Sequence, residues 1–264
     1  MLLNLGAVLT LNEQQQVFFN YSQGFELPDL ARLLRDSIAP NSLLTMGAPV
    51  GTVISDIELD AIKVDSYELG WRGSWDALAA SATLFYNESD KTTVFNPDFS
   101  VSQLDQDKTI YGFELAFDYY INDHWSAGVS GAYTEGETRD SQTGRDINLD
   151  AQEVAPAKLV NYIAYDFDGA SSIRLQATTV FDYDDAQINV AGNIVDDGDI
   201  DGYTTVDLLS QWQLPAGTLS VSVANLMNRD YQTVYSQWAE DTFGTLSGVP
   251  ARGRTLGVNY RYQY

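Results

Sequence analysis

"TIYGFELAFDYYI", residues 109–121, decides the fold. Tyr111, Phe113, Leu115, Phe117, Tyr119 and Ile121 share one parity, and Gly112, Glu114, Ala116 and Asp118 share the other. A period of 2 describes a strand with one apolar and one polar face. The pattern recurs along the chain. "VDSYELGWRG" (64–73) sets Tyr67, Leu69 and Trp71 against Ser66, Glu68 and Arg72. "GTLSVSVAN" (217–225) sets Leu219, Val221 and Val223 against Ser220 and Ser222. "GRTLGVNYRYQY" (253–264) alternates to its final aromatic, Tyr264.

Eleven strands are expected, near 2–11, 16–24, 63–72, 76–88, 109–121, 125–136, 157–167, 171–183, 202–213, 217–225 and 253–264. The stretch at 157–167 alternates least cleanly. The connections alternate in length. "NEQQ", "GSWD", "INDH", "DGAS" and "LPAG" are short, whereas those at about 25–62, 89–108, 137–156, 184–201 and 226–252 are long. Outer-membrane barrels have short periplasmic turns and long extracellular loops; a soluble sandwich has no reason to sort its loops this way. Several strands approach the roughly 9–11 residues that a tilted strand needs to cross a bilayer.

Composition narrows the classes further. Fourteen basic residues face 37 acidic ones, for a formal charge of −23. Such a surface repels nucleic acid. There is no cysteine, hence no disulfide and no thiol chemistry. Aromatics at 12%, led by 16 tyrosines, are too many for a disordered acidic chain and suit a membrane–water interface. No apolar run is long enough for a transmembrane helix, so a membrane reading must be a closed sheet. "MLLNLGAVLTLN" lacks the basic start of a signal peptide and alternates like a strand. Eleven strands would also leave the first and last running the same way, whereas bacterial barrels have even counts. These two features lead us to expect an all-β, antiparallel transmembrane barrel of which residues 1–264 are a C-terminal portion without a plug domain. Alone, it would form an open curved sheet or one closed by a mismatched seam. The alternatives are a stand-alone small outer-membrane barrel, porin-like or structural, and, less well supported, a secreted β-rich binding module.

Five segments carry a resemblance to TonB-dependent outer-membrane siderophore receptors: "FFNYSQGFELPDL" (18–30), "KVDSYELGWRG" (63–73), "IYGFELAFDYY" (110–120), "VSVANLMNRDYQ" (221–232) and "GRTLGVNYRYQY". Tyr264 stands where that family usually ends in Phe. Within the family, "KVDSYELGWR", "DGYTTVDLLSQWQLPAGTLS" (201–220) and "NRDYQTVYSQWA" (228–239) resemble ferric aerobactin receptors and related hydroxamate-siderophore receptors. The resemblance implies a barrel of about 22 strands with an N-terminal plug, in the outer membrane of a Gram-negative bacterium. It implies import of a ferric siderophore driven by TonB, which would be reached only through the N-terminal part missing here. It implies no resident cofactor, since the ferric siderophore is cargo.

The polar strand faces would then line the lumen, with Glu68, Arg72, Glu114, Asp118, Asn161, Arg174, Gln176 and Arg261 on that wall. Most of these read simply as wall polarity. Ligand capture would fall on the long loops, where aromatics and arginines suit a bulky, often anionic chelate. The candidates are Arg32 and Arg35 in the first loop, Tyr235 and Trp238 in "YQTVYSQWAEDTFG" (231–244), and Arg254, next to Arg252, at the top of the last strand. Phe25 and Phe243 add aromatic surface. Tyr231 reads as part of the interfacial girdle; Tyr235 and Trp238 suit girdle and ligand equally. "ARLLRDSI" (31–38) has the pattern of a short amphipathic helix folded against the rim. Asp196, Asp197, Asp199 and Asp201 cluster in "DDGDID" without EF-hand spacing. They read as a solvated acidic loop, open to bridging lipopolysaccharide through divalent ions. No metal site is expected. The one histidine, His124, lies in the turn "INDHW", and no P-loop, HExxH or GxSxG motif is present. The chain is therefore not expected to be an enzyme.

Overall fold

The computed structural model describes residues 2–26, 61–95, 101–104, 106–139, 144–149, 151, 153–184, 187–190, 193–196 and 199–262. Arg32, Arg35, the 31–38 segment, Asp197 and Tyr264 lie outside them. The strands are β1 (Asn4–Asn12), β2 (Gln15–Glu26), β3 (Ile62–Trp75), β4 (Leu78–Ser89), β5 (Thr92–Phe95), β6 (Val101–Leu104), β7 (Lys108–Tyr120), β8 (Trp125–Arg139), β9 (Asp146–Asn148), β10 (Lys158–Asp166), β11 (Ser172–Val180), β12 (Tyr183–Asp184), β13 (Gln187–Val190), β14 (Asn193–Asp196), β15 (Asp199–Ile200), β16 (Tyr203–Leu214), β17 (Gly217–Ala224) and β18 (Thr255–Tyr262). Among the described residues one helix, α1 (Val234–Phe243), precedes β18.

Eleven of these strands form one antiparallel path, β1-β2-β3-β4-β7-β8-β10-β11-β16-β17-β18, and they are the eleven expected from the alternation. β9 pairs with β8 beyond the stretch that β10 occupies. The long connections hold ladders that the alternation did not reveal, namely β5–β6, β13–β14 and β12–β15. The sheet is open. β1 and β18 are its outer strands, and both run toward the short-turn end. They therefore cannot pair antiparallel with each other, which counts against a closed small barrel of these strands alone.

Side-chain carbonyls fix the short turns by capping the backbone. Asn12 Oδ1 accepts from Gln14 N at 2.9 Å. Asn122 Oδ1 accepts from His124 N and Trp125 N, both at 2.9 Å. Asp168 Oδ1 accepts from Ala170 N at 3.0 Å and Ser171 N at 2.6 Å. Such local bonds are why Asn and Asp nucleate tight turns. Those backbone amides hold the Asp168 carboxyl below its ordinary pKa. His124 is part of this end: its Nδ1 lies 2.9 Å from Asp166 O, and its ring stacks on Tyr165.

The register gives the sheet two unlike faces. One carries exposed apolar groups such as Leu9, Leu69, Leu84, Leu115, Phe117, Ile163 and Val258. Tyr21, Tyr67, Tyr86 and Tyr111 form one cross-strand row there, near the long-loop end. Trp125, Tyr165, Phe167 and Trp212 form a second aromatic cluster near the short turns. An apolar band between two aromatic belts is the outer surface of a bilayer-spanning barrel, and an apolar surface of this extent would be unusual on a soluble monomer. The other face is polar and built of small groups. β8 presents Ser126, Gly128, Ser130, Ala132, Thr134 and Gly136 to it.

Seven of the eight expected wall residues share that polar face. Asn161 does not: it is registered with Val129 and Phe117 on the apolar face. β10 carries Val160 and Tyr162 on its polar side, so its own sequence marks neither face, and the neighbouring strands decide. At the centre of the polar wall, Tyr162 Oη donates to Asp118 Oδ1 at 2.5 Å. The Arg174 guanidinium stands 3.6 Å above the Tyr162 ring centroid. Gly128 lies beneath that ring, where any side chain would collide with it and with Asp118.

Candidate functional site

The long-loop end carries the molecule's compact packing. α1 begins at Thr233, whose side chain accepts from Ser236 N, and ends at Gly244, with a φ of 90° and its N–H bonded to Glu240 O at 2.8 Å. Sequence reading took this segment for loop, although the Thr cap, the terminal Gly and the Val234/Trp238 spacing were all in view. The helix buries Trp238 and Ala239 against Ile200 of β15, with Val234, Tyr183 and Ala151 at the margin. Tyr183 Oη donates to Leu149 O at 2.7 Å. Beside it, Leu149 and Val154 are buried over Gly136. Three connections, β8–β10, β11–β16 and β17–β18, thus meet in one cap.

Asparagine side chains tie this cap to the barrel. Asn225, buried and in the left-handed region at φ 49°, receives Arg229 N on its Oδ1 at 2.8 Å. Its Nδ2 donates to Arg229 O at 2.8 Å and Arg252 O at 3.4 Å. Asn228 Oδ1 accepts from Arg254 N at 2.9 Å. The backbones of Arg229, Arg252 and Arg254 are thereby gathered at the root of the cap with their side chains exposed. Ser236 Oγ bridges to Val249, donating to its O at 2.7 Å and accepting from its N at 2.6 Å.

The candidate residues part company here. Tyr235 is 65% exposed on α1, while Trp238 is 8% exposed and packed within the cap. Their rings are 5.4 Å apart, so the buried indole braces the exposed phenol. Arg254 is exposed at the root of β18. Tyr231, read as girdle, instead stacks on Tyr203 at 4.4 Å, beneath the cap. The helix also carries charge: desolvation, then Glu240 and Asp199, push the Asp241 carboxyl above its ordinary pKa. Among the described residues no cluster of three or more metal-type ligands occurs. Gln237, Asn225 and Tyr183 were not anticipated, since nothing in an isolated Gln or Asn signals a cross-loop partner.

Comparison with known proteins agrees with this architecture. Residues 2–226 match the family model described as TonB dependent receptor-like, beta-barrel. The chain is 40% identical to the ferric aerobactin receptors of Klebsiella pneumoniae and of Escherichia coli, over 98% of its own length and 35% of theirs. It therefore spans about a third of the length of these curated relatives. Among solved structures, the FrpB iron transporter from Neisseria meningitidis (F3-3 variant) superposes with a TM-score of 0.72 at 16% identity, over 97% of this chain and 38% of that one. That likeness concerns the fold. The chain belongs to the TonB-dependent receptor β-barrel family.

Proposed function

We propose that this chain is part of the wall and the outer cap of an outer-membrane receptor that imports a ferric siderophore of the hydroxamate, aerobactin-like type. The observation that carries this reading is the 40% identity to ferric aerobactin receptors over 98% of the chain. The cap supplies matching chemistry. Tyr235 offers an exposed ring braced from behind, and Arg254, with Arg229 and Arg252, forms a basic group in a chain of net charge −23. An anionic chelate would find its cationic contacts there. Trp238 serves as the brace, and Arg32 and Arg35 stand as contacts from the first long loop.

The polar wall fits a luminal domain of the same receptor. It bears a cleft of about 390 Å³ lined by Glu13, Gln16, Arg72, Ser81, Ala116 and Asp118. TonB would act through that domain, not through these strands. The tyrosine row would sit among lipopolysaccharide head groups of a Gram-negative outer membrane. The test is uptake of ⁵⁵Fe-labelled ferric aerobactin by cells carrying or lacking the gene. Uptake that requires both the gene and an energised TonB supports the reading; equal uptake without the gene overturns it.

A further inference from the structure

Gln237 makes a contact that no turn or strand pattern requires. Its Oε1 accepts from Asp201 N at 2.8 Å, and its Nε2 donates to Asp201 O at 3.0 Å. The side-chain amide thus meets the backbone N–H and C=O of one residue with both its acceptor and its donor, as a neighbouring strand would. Asp201 follows directly on β15, whose Ile200 is fully buried against Trp238 and Ala239 of α1. Gln237 Nε2 also lies 3.3 Å from Gln232 O, at the root of the helix. The connection between β11 and β16 and that between β17 and β18 are separated by two strands in sequence, and this one residue joins their backbones.

We propose that Gln237 is a positioning residue for the ligand site: it locks the 181–202 connection to α1, so that Tyr235 is presented by a body of joined loops and not by a free helix. The proposal rests on the reading of the cap as the ligand-binding face. The physical reasoning is local. A ten-residue helix is marginal alone, and among the described residues its buried apolar contact is Trp238 and Ala239 of the helix itself against Ile200. Non-directional burial of that size fixes contact but leaves sliding and rotation open. Two opposed hydrogen bonds to the backbone N–H and C=O of Asp201 fix the rotation of α1 about its axis, and with it the direction of Tyr235, two residues earlier on the same helix. Thr233 caps the start of the helix and Ser236 ties it to Val249, but among the described residues neither bonds the 181–202 connection.

These 264 residues contain no cysteine, so spin labels placed on them are unique once any cysteine in the rest of the receptor is replaced by serine. Labels at the exposed positions Asp184 and Asp241 report the separation of the two connections. A single narrow distance distribution is expected, broadened by Gln237→Met, which keeps the side-chain stem and removes both bonds. An unchanged distribution overturns the clasp, whatever the ligand. Binding of ferric aerobactin is then expected to weaken roughly five- to tenfold in the same variant, with the melting temperature of the barrel unmoved. Unaltered affinity overturns the positioning role. A receptor that binds no ferric aerobactin in either form would defeat the functional reading instead, leaving the distance measurement to judge the clasp. Gln237→Glu, which keeps only the acceptor, guards against a folding defect in the Met variant. It is expected to broaden the distribution less than Met; broadening equal to Met with a normal melting temperature counts against the two-bond clasp.

Discussion

Asn225 donates its backbone N–H to Asp207 Oδ1 at 2.8 Å, which pins the end of β17 to the polar face of β16 at the point where the chain leaves the barrel for the cap. The same asparagine is left-handed, buried and bonded through its side chain to Arg229 and Arg252. Asn tolerates that conformation better than any other residue with a Cβ. Asn225→Ala should therefore destabilise by about 2–4 kcal/mol, combining lost hydrogen bonds with backbone strain. Asn225→Gly should recover only the strain. Limited proteolysis within 226–252 checks this: cleavage should rise in the order wild type, Gly, Ala.

The polar wall gives a second test. Tyr162 spans Gly128 to reach Asp118 while Arg174 stacks on its ring. Gly128→Val would evict the ring, at a cost of about 1–3 kcal/mol from overpacking. Tyr162→Phe keeps the stack and removes one bond, for about 1 kcal/mol. Urea-dependent unfolding in lipid vesicles should rank Gly128→Val below Tyr162→Phe.

The assignment of faces predicts opposite outcomes for one substitution. Leu115 is half exposed on the apolar face, the face proposed to meet lipid. Leu115→Arg should cost about 2–4 kcal/mol at the bilayer midplane. Ser130→Arg, on the polar face of the adjoining strand, should fold close to normally. Heat-modifiable gel migration separates the two, and equal assembly would contradict the assignment.

Two carboxyls respond to acid in opposite directions. Asp168 has a lowered pKa, so the stability it lends its turn is present above the unfolded value and is lost as pH falls through the folded one. Asp241 has a raised pKa, so its charge opposes packing of α1 at neutral pH, and protonation on the way down relieves that. Mild acid, as pH falls through the raised Asp241 value, should therefore tighten α1 before stronger acid loosens the Asp168 turn. Asp241→Asn should tighten α1 at neutral pH and remove the mild-acid effect, as read by amide exchange in 234–243.

What was legible in the sequence divides between the main sheet and its long connections. In the main sheet, strands such as Lys108–Tyr120 followed the expected 109–121 closely, because one apolar and one polar face impose period 2. In the connections, β5–β6 and β12–β15 are strands of only 4 and 2 residues, too short for an alternation to mark them. α1 was missed because its apolar stripe is short, and Trp238 looked like a ligand contact until its helix placed it inward. Asn161 was misplaced because β10 mixes apolar and polar groups on both faces. Cross-loop bonds such as Gln237 to Asp201 depend on spatial neighbours that no local pattern encodes.

The most direct test of the account is a titration of the detergent-solubilised receptor with ferric aerobactin, run for wild type and for Tyr235→Ala. The account predicts saturable one-to-one binding that weakens in the variant while the barrel stays folded. Absence of saturable binding by the folded wild-type receptor would contradict it.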